Sequence, residues 1–165
     1  MIKEVVSQLQ LQKHPEGGYY KELYRSAELA KPPARFNAKT RAWATGIYYF
    51  LESNDFGTFH RVKSDETWFF HAGGTLSIHV IYPDGTLLTH KLGNQIKNKN
   101  TQFQITLPAN VWFAETVDEP DSYVLASCYV SPGFDYADLE LANRKKLIAE
   151  YPAHKELITK LTRIT

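Results

Sequence analysis

The sequence has little cysteine, little net charge and no long apolar run. Its single cysteine, Cys128, excludes an internal disulfide and a cysteine-rich zinc site, and its apolar neighbours favour a buried core residue over a reactive thiol. A formal net charge of +1 at pH 7 provides no long-range attraction to nucleic acid or to a membrane surface. No apolar stretch could span a bilayer, and the polar segment after Met1 is unlike a signal peptide, so we expect a cytoplasmic protein.

The sequence does contain many aromatic residues and many short strand-like segments. Aromatic residues make up 13% of the chain, which is typical of β-rich packing. Segments with strand-like alternation or composition lie at 19–24, 42–51, 58–62, 66–71, 76–82, 86–92, 102–107, 111–117 and 123–130. Turn signals separate them, so they predict an all-β sandwich or barrel. The length of 165 residues suits a single domain, 1–165, with its own core.

Helical spacing of apolar residues appears only near the two ends of the chain. It predicts one helix near residues 2–9. A second is expected after a cap at Asp135 or Asp138, and Pro152 can begin another. Residues 26–39 combine prolines with scattered charge and are expected to form an exposed, mobile loop.

The stretch from Gly57 to Gly74 contains the best candidates for chemistry. Strict alternation places Thr58, His60 and Val62 on one face of the first strand. In the second strand it places Glu66, Trp68 and Phe70 on one face, with His71 pointing away. A histidine and a carboxylate from the two strands could therefore face the same space.

This stretch resembles the first motif of the cupin superfamily. Glu66 stands six residues before Gly73, as in that motif, and His60 matches its first histidine. Val62 occupies the place of the second histidine of that motif. A second cupin motif, Pro-x-Gly-x-x-His, corresponds to residues 108–113, where Phe113 stands in place of the histidine. A typical cupin metal is held by three histidines and a glutamate.

Four separated segments are more closely similar to the Cupin_5 family, formerly a domain of unknown function, within the RmlC-like cupins. They are HPEGGYY at 14–20, HRVKSDE at 60–66, PANVW at 108–112 and PGFDYAD at 132–138. The resemblance implies a double-stranded β-helix, a cupin jelly-roll barrel with short N- and C-terminal helices packed outside. It also implies a homodimer, for which the strand at 19–24 is the candidate exchange edge.

The residues allow three kinds of function for such a barrel. The first is a metal-dependent cupin enzyme. Only His60 and Glu66 are left as metal ligands, so we expect no tightly held cofactor, and a weakly bound divalent metal remains an open alternative. The second is metal-free acid–base catalysis by His60 and Glu66, which is isomerase or epimerase chemistry. Desolvation would raise the pKa of Glu66 in such a pocket and disfavour a charged His60 unless the two are paired. The third is a non-catalytic barrel.

In each case the expected partner is a small polar ligand, either sugar-like or nucleotide-sugar-like. We expect binding to neither nucleic acid nor a membrane. The residues expected to contact it are Tyr49, Arg61, Lys63, Trp68, Phe70 and Trp112. A buried His60–Glu66 ion pair that only orders the turn is the structural alternative. Glu16 and Arg25 are interpreted as solvated charges of a connector, with a ligand-contacting loop as the alternative. Arg25, like Arg61 and Lys63, could also hold an anionic group.

Overall fold

The computed structural model describes residues 2–163, which form thirteen strands and three α-helices. The helices are α1 (Ile2–Gln8), α2 (Arg144–Glu150) and α3 (Lys155–Lys160). The strands are β1 (Gln12–Lys13), β2 (Tyr19–Arg25), β3 (Leu29–Ala30), β4 (Arg41–Ala42), β5 (Thr45–Glu52), β6 (Phe56–Arg61), β7 (Asp65–Gly73), β8 (Leu76–Ile81), β9 (Leu87–Leu92), β10 (Gln104–Leu107), β11 (Trp112–Val117), β12 (Tyr123–Ser131) and β13 (Glu140–Leu141).

Two antiparallel sheets enclose the core in the predicted jelly-roll arrangement. The larger sheet has the order β1-β2-β5-β12-β7-β10, and the smaller has the order β13-β6-β11-β8-β9. The predicted all-β, double-stranded β-helix with short terminal helices is therefore confirmed. Strands β6 and β7 follow each other in the chain but belong to different sheets, so the chain between them crosses the barrel. His60 and Glu66 consequently approach the interior from opposite sheets.

A β-bulge in β6 changes the alternation that the sequence predicts. Phe113 of β11 lies opposite His60, and Glu115 lies opposite Gly57, so β6 has one extra residue between these pairs. His60 still faces the barrel interior. The Thr58 hydroxyl instead donates a hydrogen bond to the Leu161 carbonyl at 3.2 Å, so placing Thr58 beside His60 was wrong.

A second apolar cluster lies outside the barrel, between β6, β11 and the C-terminal helices. It contains the buried residues Phe59, Ile81, Trp112, Ala114, Leu147, Ile158 and Leu161. Burying a large apolar side chain contributes about 1.5–3 kcal/mol, so this cluster holds the tail firmly. Backbone bonds add to it, since Phe59 donates to Leu161 and Ala142 donates to Phe59, each at 2.8 Å.

The tail begins its first helix later than the sequence suggested. The side chain of Asn143 accepts a hydrogen bond from the backbone N–H of Lys146 and caps α2. Asp135 caps only a short 3₁₀ turn, Tyr136–Asp138, and buried Asp138 pairs with Arg41 at 2.9 Å. Pro152 begins a 3₁₀ turn that leads into α3, as expected.

One further expectation needed correction. The segment 26–39 is not uniformly exposed, because it contains a 3₁₀ turn whose Phe36 is buried. In the strand at 19–24, β5 pairs along one side, and β1 pairs with Tyr19 and Tyr20 on the other. The role of this strand as an exchange edge stays a prediction. Within residues 2–163, the helices are all too short or too polar to cross a membrane.

Candidate functional site

A cavity of about 340 Å³ opens between the two sheets. Both sheets and two loops contribute to its lining. His60 and Val62 come from the smaller sheet, and Tyr49, Glu66 and Trp68 come from the larger one. The loops are the one before β2 and the one after β12. Of the predicted site residues, the structure brings His60, Glu66, Tyr49 and Trp68 together.

Glu16 is the residue that links the loop before β2 to the barrel interior. Gly17 and Gly18 adopt positive φ angles of 125° and 68°, and the turn they form directs the chain back toward the barrel. Thr58 donates a backbone hydrogen bond to the Glu16 carbonyl at 2.8 Å and fixes the loop against β6. The Glu16 carboxylate then lies 3.2 Å from Nε2 of His60 and 3.3 Å from Nδ1 of His14.

The hydrogen bonds of His60 indicate where its protons are. Nδ1 lies 2.8 Å from the Thr58 carbonyl oxygen, which can only accept, so we assign a proton to Nδ1. A neutral ring would then present the lone pair of Nε2 to the Glu16 carboxylate, and that contact would be repulsive. The pair therefore holds a proton between Nε2 and Oε2.

Opposing effects act on this pair. Burial raises the pKa of Glu16, but the two neighbouring histidines outweigh it and the net pKa is lowered. Burial lowers the pKa of His60 on balance, although Glu16 and the Thr58 carbonyl oppose the change. We assign the proton to His60 and the negative charge to Glu16, because the pKa of Glu16 is lowered on balance and its carboxylate contacts a second imidazole, His14.

Glu66 has a different environment on the opposite sheet. The residue is 7% exposed, and Oε1 of its carboxyl accepts a hydrogen bond from the Cys128 thiol at 2.5 Å. Burial raises the pKa of Glu66 to about 8, although the thiol partly opposes this shift. Glu66 is therefore mainly protonated at pH 7 and can donate a proton. Cys128 is buried, as the sequence predicted, and its own pKa is raised well above the ordinary value by burial.

Aromatic side chains form much of the wall and the mouth. The ring of Trp68 meets Tyr49 edge-on, with centroids 5.3 Å apart, and Phe113 packs on His60 at 4.1 Å. At the mouth, the hydroxyls of Tyr20 and Tyr136 are 2.8 Å apart. These contacts exclude water from one side of the acid–base groups, which strengthens their electrostatic interactions.

Two residues predicted to wall the cavity lie elsewhere. Trp112 faces the outer cluster under the C-terminal helices, because alternation along β11 turns its neighbour Phe113 inward instead. Phe70 packs against the barrel core two residues beyond Trp68, outside the cavity lining. Both expectations are corrected.

The two predicted basic contacts also lie outside the cavity. Arg61 points away from His60, pairs with Glu140 at 2.8 Å, and lies 4.4 Å from the ring centroid of Trp112. Lys63 lies 3.6 Å from Asp138. His60 pairs with Glu16 and not with Glu66, so the structural alternative of a His60–Glu66 ion pair is not observed.

Sequence reasoning missed His14 and Glu16 as members of the site. Both belong to the HPEGGYY segment, whose charges were interpreted as those of a solvated connector. That interpretation was wrong for Glu16, which is 7% exposed. The paired glycines were the signal that could have found it, since positive φ angles allow a loop to fold tightly against a barrel.

A third carboxyl, Glu115, lies deeper in the barrel. It is 1% exposed, and neither of its oxygens has a hydrogen-bond partner among the described residues. Burial raises its pKa well above the ordinary value, and Glu16 and Glu66 add to the shift. Its carboxyl occupies the space beside Gly57, where an added Cβ would clash with Oε2.

The donor set does not fit the metal site that is typical of cupins. Val62 and Phe113 stand where two histidines would be needed, and neither can coordinate. The two histidines near the cavity are held by Glu16, and Glu66 is bonded to a thiol. In the part of the chain that the structure describes, no group of three or more His, Cys, Asp or Glu side chains is placed to hold a metal ion.

Comparison with known proteins agrees with the fold and the motifs. A family model described as Cupin_5, cupin superfamily (DUF985), matches residues 3–142. The chain belongs to the Cupin_5 family. This Cupin_5 chain is also 32% identical over 148 residues to an uncharacterised protein of Saccharomyces cerevisiae, covering 83% of this chain and 73% of that protein.

Solved structures extend the comparison. A protein of Shewanella oneidensis is 36% identical, with a TM-score of 0.87 over 99% of this Cupin_5 chain and 98% of that one. A cupin 2 domain-containing protein of Halorhodospira halophila shares the fold at 12% identity, with a TM-score of 0.58 over 93% of this chain and 88% of that chain. The protein is thus a cupin-fold member of a family whose description names no activity.

Proposed function

We propose that the cavity is the active site of a metal-independent isomerase acting on a small polar ligand. The observation that carries this proposal is the pair of carboxyls with opposite shifts in one cavity. The pKa of Glu16 is lowered, and that of Glu66 is raised to about 8. A base and an acid that coexist at neutral pH are what proton transfer requires.

The proposed reaction moves one proton between neighbouring carbons of a hydroxy-carbonyl compound. Ionised Glu16 removes the proton from the carbon beside the carbonyl, while Glu66 donates its proton to the carbonyl oxygen and gives an enediol. Glu66 then takes the proton from the neighbouring hydroxyl, and Glu16 returns its proton to the former carbonyl carbon. Both residues end in their starting states, so no other reactant is needed.

His60 acts through Glu16 in this scheme. Its protonated ring lies 3.2 Å from Oε2 and keeps the carboxylate ionised in a buried place. His14 supports the same oxygen from the other side at 3.3 Å. His60 is thus a positioning residue, and Glu16 joins Glu66 as a catalytic residue. We expect the reaction rate to fall at low pH as Glu16 is protonated, and near pH 8 as Glu66 loses its proton.

Deuterium exchange tests the proposal across a whole class of candidate substrates at once. The protein is incubated in D₂O with a panel of aldoses and ketoses, both free and phosphorylated, and proton NMR follows the carbon beside each carbonyl. We expect at least one compound to exchange, with the rate falling at least about 100-fold in Glu66→Gln and in Glu16→Gln. Glu140→Gln is the matched control, because Glu140 pairs with Arg61 outside the cavity.

Two results would overturn the proposal. One is exchange that survives both cavity substitutions. The other is a panel in which some compounds raise the melting temperature of the protein but none exchanges. That result would support the non-catalytic, ligand-binding alternative.

A further inference from the structure

The mouth of the cavity contains one guanidinium, and three of its five N–H donors already have partners. Arg25 donates from Nε and Nη2 to the two carboxylate oxygens of Glu22, at 3.0 and 2.7 Å. Its Nη1 donates to the Phe134 carbonyl at 3.1 Å. All three nitrogens therefore have partners, and the two bonds to Glu22 have the parallel geometry with which an arginine would otherwise bind a phosphate.

The rest of the lining offers little to an anion. Among its described residues, Arg25 is the only lysine or arginine, while Glu16, Glu22, Glu66 and Asp135 are acids. The positive charge of His60 is neutralised by Glu16. An anion that displaced Glu22 from Arg25 would lie beside the displaced Glu22 carboxylate, and Asp135 is also at the mouth. Repulsion from these two acids would offset the free energy gained by binding to Arg25.

The size of the cavity also disfavours a nucleotide-linked sugar. Its volume of about 340 Å³ lies near the lower end of the range of roughly 300–1,000 Å³ for small-molecule pockets. The Tyr20–Tyr136 hydroxyl contact narrows the mouth further. A single sugar ring fits such a space, whereas a nucleotide group attached to it would have to remain outside, against the acidic rim.

We infer that the cavity takes an uncharged, sugar-sized ligand and rejects phosphorylated and nucleotide-linked sugars, and that Glu22 sets this preference by occupying Arg25. The inference rests on the proposed function for the location of the site. It concerns binding alone and does not require turnover. The exposed Glu22–Arg25 pair contributes little to stability, so its substitution is compatible with an intact fold.

Titration of ¹⁵N-labelled protein measures this preference directly. The indole N–H of Trp68 reports binding, while exposed Trp43 and externally packed Trp112 are internal references. The probes are free aldoses and ketoses, the phosphate ester of each, and one nucleotide diphosphate sugar. We expect at least one free sugar to shift the Trp68 signal, and its phosphate ester to bind at least about tenfold more weakly, which corresponds to about 1.4 kcal/mol.

Glu22→Gln should narrow the gap between the free sugar and its ester by about three- to tenfold, because Arg25 becomes available to the phosphate. Glu140→Gln is the matched control. It releases Arg61, an arginine outside the cavity, and should leave the ratio unchanged.

Three outcomes overturn the inference: tighter binding of the esters than of the free sugars in the wild type, a ratio that Glu22→Gln does not change, or no shift with any free sugar. Binding of a free sugar without deuterium exchange would support this inference and contradict the proposed isomerase. Deuterium exchange confined to phosphorylated sugars would support the proposed isomerase and contradict this inference.

Discussion

Glu16 and Glu66 line one cavity, but their immediate neighbours differ. Glu16 lies against two imidazole rings, and the pKa of its carboxyl is lowered in spite of burial. Glu66 has a thiol as its hydrogen-bond donor, and its pKa rises to about 8. Both carboxyls are buried to a similar degree, so burial alone does not decide the charge. The charge state depends on whether a cationic partner is within contact distance.

The strongest test of this comparison is to remove the charge from Glu16. Glu16→Gln leaves the protonated His60 ring without its partner, and we expect a loss of about 3 kcal/mol in the free energy of unfolding at pH 7. Urea denaturation measures this loss. Because the pKa of Glu16 is lowered in the folded state, the difference from wild type should shrink as the pH falls below 4.5.

The surface pair provides the control for that measurement. Glu22→Gln removes an acid from a pair with Arg25 whose side chains are 42% and 46% exposed, and should cost less than about 1 kcal/mol. Equal losses of unfolding free energy in the two variants would show that the buried Glu16–His60 pair contributes no more to stability than the exposed Glu22–Arg25 pair.

Glu66→Gln should change stability in the opposite sense. A folded-state pKa of about 8, raised from 4.5, means that the folded protein holds a proton that the unfolded chain releases between these values. Wild-type stability should therefore fall relative to Glu66→Gln as the pH rises from 4.5 to 8, by about 3 kcal/mol at pH 7.

Urea denaturation of both proteins across this pH window gives the difference. The groups close enough to alter the result are Cys128, Glu16, Glu115, Tyr49 and His60. A difference that stays constant with pH would mean that Glu66 is ionised in the folded protein, as Glu16 is.

The smallest effect expected inside the barrel concerns the third carboxyl, Glu115. An added methyl at Gly57 would clash with Oε2 of Glu115, so Gly57→Ala should destabilise the protein. Glu115→Ala removes the obstructing group, and the double variant should recover about 1–2 kcal/mol relative to the sum of the single losses. A double-mutant cycle from urea denaturation measures this coupling. Strict additivity would show that Glu115 can move out of the way without cost.

The barrel itself could be predicted from the sequence, whereas part of the site could not. Period-two alternation placed Trp68 and Glu66 on the inner face of β7, and the glycine-flanked motifs indicated the family. Alternation is a local property and follows from the geometry of one strand. It failed at Thr58, because a bulge inserts an extra residue into β6 and no sequence signal marks it.

The partners of His60 depend on contacts between distant segments. Glu16 is more than forty residues earlier in the chain, and only the closure of the barrel brings the two side chains together. The same is true of Cys128 and Glu66, which come from β12 and β7. Pairings of this kind depend on the register of non-neighbouring strands, which hydrophobic patterns specify only by face.

The family match ends at residue 142, yet the strand that carries His60 is fastened by what comes after it. Leu161 accepts backbone and side-chain hydrogen bonds from Phe59 and Thr58, and α2 and α3 cover the outer face of β6. A truncation at the boundary of the family model would strip this support and leave Phe59 and Trp112 exposed to solvent. The structural support of His60 therefore extends past the segment that the family model covers. We expect substitutions in the tail to disturb the position of this imidazole through Thr58 and Phe59.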